Sequence, residues 1–469
     1  MKTPTERLTA ELVGKIPPAW ASVISVVDRA RFIPARIWVY DDHNDPQPLD
    51  RDTDPQRWWQ VVYSDTAIMT QFDNGATTWP DTTGDHPTSS ASQPSLVLNM
   101  LAGLDVRDGH RVLEIGTGTG YHAALLAAQL GDDAVTTIEI DTTLAQQARE
   151  HLIAAGYTPT VITADGTAGY PGNAPYDRII ATASIRPGQL PYSWVAQTRP
   201  GGIIVTPWGP DYHNGVMARL VVHDDATASG RLSSNLAFMR LRAQQDPACP
   251  LDDVETGDAQ DTTTSLWVYQ VIGDLSGALT VGLLVPHCHK IVEDDPNDEY
   301  HHLVRVHDPA TRSWATVEVR RGLGAYPVRQ HGPRRLWDEI ERAHAWWVHH
   351  GRPTYTRLGV TITDTQQWTW LDHPDQPVGL PARPEVGTPG SVHDHGVQPV
   401  WHGAPGEPPT KFTTTPDPQA QPRGASHGFG RSPLPSTPST PPSPATPSSP
   451  QSQRRDITAQ PVNGRRKKS

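Results

Sequence analysis

Between residues 95 and 209 the hydrophobic pattern switches repeatedly between two periods. Helical spacing over 95–104 gives way to a short apolar run at 111–115, then an alanine-rich helical stretch at 121–130 and a second apolar run at 134–140. A further helix is predicted over 144–155 with Gly156 as its stop, and strands over 160–163 and 176–181. Strand and helix in alternation predict a doubly wound α/β fold, a parallel sheet with helices on both faces. Ligands of such sheets bind beyond the carboxyl ends of the strands. After about Leu241 the period changes. Runs at 266–272, 279–285, 303–306 and 314–319 read as strands separated by Gly, Asp and Pro turns. The stretch 334–350 sets Leu336, Ile340, Ala343 and Trp347 on one helical face, with Gly351 and Pro353 as the stop. Leu358, Val360 and Ile362 alternate as a last strand, so 243–376 is expected to be a separate, smaller α+β domain.

The chemistry starts where the first strand runs out. Val112-Leu113-Glu114-Ile115 leads into Gly116-Thr117-Gly118-Thr119-Gly120, and the next strand ends on Glu139, 19 residues after Gly120. Glycines let the backbone turn sharply and approach a ligand without a Cβ in the way. A carboxylate at the tip of the second strand can accept hydrogen bonds from both hydroxyls of a ribose. The spacing G-x-G-x-G is not the G-x-G-x-x-G of dinucleotide folds, and Gly120-Tyr121-His122 lacks the Lys-Ser/Thr of a phosphate loop. A nicotinamide oxidoreductase is disfavoured on the same ground. The form E-x-G-x-G-x-G resembles motif I of the class I methyltransferases, whose Rossmann-like fold binds S-adenosyl-L-methionine.

Three further segments make the resemblance specific: Ser90-Ala91-Ser92-Gln93-Pro94, then Asp165-Gly166-Thr167-Ala168-Gly169-Tyr170-Pro171, and Ala174-Pro175-Tyr176-Asp177. With Val26-Val27-Asp28-Arg29-Ala30-Arg31-Phe32-Ile33-Pro34 and Tyr63-Ser64-Asp65 near the start, they resemble the protein L-isoaspartyl O-methyltransferase family from about Val23 to Gly209. The resemblance implies that Glu114, Gly116, Thr117, Gly118, Gly120, Glu139, Asp165 and Gly166 hold the cofactor. It also implies that Ser92 is the active-site serine, with Ser90 and Gln93 on the substrate side. Arg186 stands where the family has small apolar residues, and as a substrate-side candidate it is open between pairing with a substrate carboxylate and plain surface charge. From the residues alone Ser92 is equally a helix N-cap, and Asp165 the start of an Asp-Gly turn. A carboxylate substrate with a pKa near 4 is already ionised at neutral pH, so methylating it needs alignment and dryness rather than a general base. A serine hydroxyl can donate one hydrogen bond and orient it.

Composition narrows the class. A chain of 469 residues holds more than one domain. The last 93 residues carry 20 of the 47 prolines and 10 Lys/Arg against 5 Asp/Glu, so of the net −12 a balance of −17 lies on residues 1–376. That acidic body argues against nucleic acid as a partner. The Pro/Ser/Thr-rich stretch 377–469 is expected to be disordered. Cys249 and Cys288 make no disulfide framework, and neither an apolar signal core nor a membrane-length apolar run is present, so a cytoplasmic protein is expected. Pro286-His287-Cys288-His289 followed by His301-His302 has zinc-like ligand types, but its spacing matches no closed site, and no metal is expected.

The expected organisation is therefore a substrate-side region at 1–80, a cofactor-binding core at 81–242, the α+β domain at 243–376 and the tail. The function implied is carboxyl methylation of an aspartyl or isoaspartyl residue in a peptide or protein, giving an ester that can collapse to succinimide (aspartimide). Related enzymes with C-terminal extensions act on ribosomally made precursor peptides beside ATP-grasp maturation enzymes, and the extension here favours that substrate over general isoaspartyl repair. A third reading makes 243–376 a peptide-recruiting module and the protein chiefly a scaffold.

Overall fold

The computed structural model describes residues 4–379 apart from 13, 42–44, 83, 85, 214, 246–254, 256, 296–297 and 321. The prolines and basic residues expected to form a disordered tail lie, from 380 onward, outside the described residues, as does Cys249.

The first sheet in the chain has four strands, β1 (Arg36–Tyr40), β2 (Pro46–Asp50), β3 (Ile68–Phe72) and β4 (Pro87–Ala91), in the order β2-β1-β3-β4. Helices α1 (Pro4–Leu12), α2 (Pro18–Val26) and α3 (Pro55–Val62) accompany them. Then α4 (Pro94–Leu104) leads into the alternation read from the hydrophobic pattern: β5 (Val112–Ile115), α5 (Tyr121–Leu130), β6 (Val135–Glu139), α6 (Thr142–Ala155), β7 (Thr160–Thr163), β8 (Tyr176–Ala181), α7 (Tyr192–Ala196) and β9 (Thr198–Trp208). Antiparallel β10 (Val216–Val222) and β11 (Ala228–Asn235) follow. Pairings β5/β6, β5/β8, β6/β7 and β8/β9 are parallel, as expected for a doubly wound sheet. Helices α4 and α5 cover one face with Leu98, Leu101, Leu125 and Leu126 fully buried, while Trp194 of α7 fills the other.

Beyond Leu241 the expectations need two corrections. After β12 (Gln260–Thr264), the runs expected as strands at 266–272 and 279–285 are largely helical, α8 (Tyr269–Ile272) and α9 (Leu275–Leu284). In α9, residues 277–282 and Leu284 are all buried, so no polar face marks the helix, and an all-round apolar run has no period to read. The Asp274 side chain accepts from the Gly277 N–H at 2.7 Å and starts the helix. The strands β13 (His289–Asp295), β14 (Asp298–Asp308), β15 (Ser313–Val319) and β16 (Tyr326–His331) form with β12 a five-stranded sheet in the order β12-β16-β15-β14-β13, packed on α10 (Leu336–His349).

The second correction concerns the boundary at 376. The last strands, β17 (Leu358–Ile362) and β18 (Gln367–Leu371), return to the doubly wound sheet, which reads β18-β17-β11-β10-β9-β8-β5-β6-β7. All five residues of β17 are buried, and Leu358, Val360 and Ile362 share one core with Leu220 and Leu232. The α+β part is thus an insertion between two strands of one sheet.

Candidate active site

The glycine loop, Glu139 and Asp165 lie at or just beyond the carboxyl ends of β5, β6 and β7, the edge where such sheets bind ligands. Each loop position has its own physical reason. Gly116 has φ +95°, and a Cβ there would stand 2.7 Å from Thr182 Oγ1, which itself donates to the Gly116 carbonyl at 2.6 Å. Gly118 faces β4, with the Ser90 carbonyl 3.6 Å from where its Cβ would be, so the loop lies against the strand that delivers Ser92. Gly120 instead packs on α6, against Leu152 and Ala148. A side chain at Gly120 would therefore press on α6.

The Glu114 and Thr117 side chains are bonded within the chain. Glu114 is fully buried; one oxygen takes a hydrogen bond from Thr137 Oγ1 at 2.6 Å and the other is bonded to His122 Nδ1. Thr117 Oγ1 meets Thr137 Oγ1 at 2.6 Å and extends this chain. Through Thr137 these two side chains tie the end of β5 and the glycine loop to β6. His122 had no signal in the sequence beyond its position after Gly120.

Glu139 is 7% exposed, with Oε2 accepting from the Gly118 N–H at 2.9 Å and Oε1 from the Asp141 N–H at 3.0 Å. Burial pushes its pKa above the ordinary value, opposed by those two N–H groups and by Arg242. A carboxylate has about four acceptor positions, so about two remain for a pair of hydroxyls. Asp165 is exposed and caps the turn at Gly166–Ala168, Oδ1 accepting from the Thr167 N–H at 2.9 Å. Its other oxygen has no hydrogen bond among the described residues. Gly166 is buried against Ile115, and its carbonyl accepts from Trp194 Nε1 at 2.8 Å.

The turn carrying Ser92 is held by a residue that sequence reasoning did not single out. The Arg29 guanidinium, 1% exposed, donates to the carbonyls of Val62 (3.0 Å), Ser64 (3.1 Å) and Thr66 (2.8 Å) on one side. On the other it reaches those of Ala91 (3.3 Å) and Ser92 (3.1 Å). Asp65 adds a second tie, its Oδ1 accepting from the Ser95 N–H at 2.9 Å in the first turn of α4. The N-cap of α4 is Gln93, so capping does not occupy Ser92, and the Ser92 hydroxyl makes no hydrogen bond among the described residues. The Gln93 side chain donates to Ser95 Oγ at 3.2 Å, and Ser90 pairs with Met69 in the β3/β4 ladder.

Arg186, assigned to substrate, is committed elsewhere. It is 9% exposed, and Nε and Nη2 donate to Asp211 Oδ1 at 3.1 and 2.9 Å, an acceptor shared with Arg240 at 3.0 Å. That partner lies 25 residues on, beyond β9, where no local pattern announces it. Among the described residues no group of three or more His, Cys, Asp or Glu is arranged to hold a metal ion, and no helix is long and apolar enough to cross a membrane.

Residues 18–246 match the family model of protein-L-isoaspartate(D-aspartate) O-methyltransferase. The protein-L-isoaspartate O-methyltransferase of Ignicoccus hospitalis is 46% identical over 118 residues, 25% of this chain and 55% of that one. The Methanopyrus kandleri enzyme of the same name is 40% identical over 157 residues, 33% of this chain and 68% of the relative. This chain belongs to that family. It spans between 49% and 69% of the length of the curated relatives it matches. A solved protein-L-isoaspartate O-methyltransferase structure aligns with TM-score 0.45 and 19% identity, over 79% of this chain and 100% of the other. The family match ends at 246, and the five-stranded sheet with its helices lies beyond it.

Proposed function

We propose that this protein transfers a methyl group from S-adenosyl-L-methionine to the carboxylate of an aspartyl or isoaspartyl residue in a peptide or protein. The observation that carries the proposal is the Ser92 hydroxyl, left uncommitted on a turn that Arg29 clamps and that leads out of the strand lying against Gly118.

The residues present fit the cofactor. Glu139 retains acceptor capacity for the two ribose hydroxyls, Asp165 presents an oxygen near the adenine side, and Gly116 and Gly118 leave bare backbone beside them. Bound S-adenosylmethionine supplies an electrophilic methyl group. The chain's own part is alignment. Ser92 donates one hydrogen bond to the acceptor carboxylate and fixes its direction, and Arg29 holds that turn still. The carboxylate is ionised at neutral pH, so no base beside Ser92 is needed. The product ester collapses to succinimide when the next amide nitrogen attacks its carbonyl carbon and methanol leaves.

Within that reading the substrate is a ribosomally made precursor peptide acting with its maturation enzymes, in a cytoplasmic setting. What supports it is the inserted sheet and helices at 257–349, which repair of scattered isoaspartyl residues does not require. Labelled cofactor offered with an isoaspartyl peptide, an aspartyl peptide and a candidate precursor separates these cases. Transfer to the precursor alone supports the finer reading, and equal transfer to any isoaspartyl peptide returns the enzyme to repair. Cofactor binding without transfer to any carboxylate overturns the proposal.

A further inference from the structure

Three separate parts of the chain converge on Asp141, two residues past Glu139. Its Oδ1 caps α6, accepting from the N–H groups of Thr143 and Leu144 at 2.9 and 3.1 Å. Its Oδ2 accepts from Gln71 Nε2 of β3 at 3.1 Å and faces Arg242 Nη2 at 3.6 Å. Its own N–H holds Glu139 Oε1.

The two partners are themselves seated. Gln71 Oε1 accepts from Thr88 Oγ1 at 2.8 Å, and Thr70 Oγ1 bonds Ser89 Oγ at 2.9 Å, so Gln71 moves with the β3/β4 hairpin that leads to Ser92. Arg242 is fixed by the segment before it. Ser184 N–H donates to the Met239 carbonyl at 2.7 Å and Leu241 N–H to the Ser184 carbonyl at 3.0 Å. Met239 packs with Trp38, Met69 and Phe72, and Leu241 is buried in a different core cluster with Ile185 and Trp208.

We infer that Gln71, Asp141 and Arg242 form a clasp that closes the ribose side of the cofactor site and positions Glu139, tying cofactor affinity to the hairpin before Ser92 and to the segment that enters the extension. The inference rests on the cofactor reading above. Arg242 acts through Asp141 and Glu139 as a positioning residue. Its cation offsets two neighbouring carboxylates, and its side chain is 27% exposed, so the coupling is partly screened.

Calorimetry on the full chain, with S-adenosylmethionine and S-adenosylhomocysteine as ligands, tests it. Arg242→Met is expected to raise both Kd values about three- to tenfold. Arg242→Lys should recover most of that loss. Gln71→Leu should weaken binding as well, and the double variant should fall short of the sum of the single effects, as for groups in one network. A Kd unchanged in Arg242→Met and in Gln71→Leu, with only a lower melting temperature of the cofactor-free protein, reduces the clasp to a surface ion pair and overturns the inference. If Arg242→Met does not fold, Arg242→Gln and Gln71→Leu carry the same two outcomes. Failure of the unsubstituted protein to bind either ligand removes the cofactor reading itself, a result distinct from failure of the clasp.

Discussion

Replacing Arg29 by methionine keeps an unbranched apolar stem as far as the position of Nε and removes every donor, so it tests the clamp on the Ser92 turn. Five carbonyls lose their partner at once, and two of them belong to Ala91 and Ser92. A hydrogen bond to a charged group contributes about 1.5–3 kcal/mol, but such bonds sharing one cation are not additive, and burying the guanidinium costs part of the gain. That cost is visible in Arg29, where burial pushes the pKa down to about 10 against the raising effects of Tyr121 and Asp65. Breaking a buried charged network by removing one partner costs about 3–5 kcal/mol, and that is the expected loss in Arg29→Met, read by urea unfolding. Arg29→Lys keeps the charge with three donors for five acceptors and should fall in between. With a pKa of about 10 the clamp stays charged through neutral pH, so the loss in Arg29→Met should be the same at pH 6 and pH 8. In turnover, the lysine variant should lose more in kcat than in cofactor affinity. A loss under about 1 kcal/mol together with unchanged kcat would refute the view that Arg29 organises this turn.

Ser92→Ala should lower turnover about ten- to a hundredfold with cofactor affinity held within about twofold, because it removes alignment alone; equal losses in both, by kinetics and calorimetry, contradict the positioning role. Glu139 gives two pH dependences of opposite sign. Its folded pKa is raised by burial, so the native state holds that proton more tightly than the unfolded chain, and cofactor-free stability gains as pH falls through the folded value. Cofactor affinity needs the ionised form and should weaken over the same window; the charged groups facing Glu139 are Arg242 and Asp141, and Glu139→Gln should flatten both curves. Gly116→Ala introduces a Cβ at φ +95° and 2.7 Å from Thr182 Oγ1, and should cost about 1–3 kcal/mol in unfolding experiments along with most of the cofactor affinity. A fully stable, fully binding Gly116→Ala protein would show that the loop is not constrained as described.

What the sequence made legible was local. The alternation at 95–209, the glycine spacing and Glu139 at a strand tip are patterns within about thirty residues, and the parallel sheet realises them. Ser92 was legible only as one of two alternatives, and the structure removes the capping one by giving the N-cap to Gln93 and the first turn of α4 to Asp65, 30 residues upstream. Arg29 and the acceptor of Arg186 were not legible, because their partners lie 33 to 63 and 25 residues away and nothing in the intervening chain encodes the pairing. The apolar run at 279–285 failed for another reason. A helix buried on every side loses the polar face that period analysis depends on.

The same physics explains why the boundary near 242 is a family boundary and not a folding boundary. Strand β11 is the last strand inside the stretch matched by the family, and its residues Ala228 to Arg231 pair with Ile362 to Gly359 of β17, more than a hundred residues later. Leu279, Leu358, Val360, Ile362 and Leu371 are all buried in the core that also holds Leu113, Ile179 and Trp194. At about 1.5–3 kcal/mol for each buried aliphatic side chain, those five contribute about 8–15 kcal/mol, the size of a whole domain's net stability. A chain stopped at 242 would therefore expose both a strand edge and a core face. The extension is part of the methyltransferase fold through β17 and β18, and only the five-stranded sheet between them and β11 is free to have been shaped by a substrate.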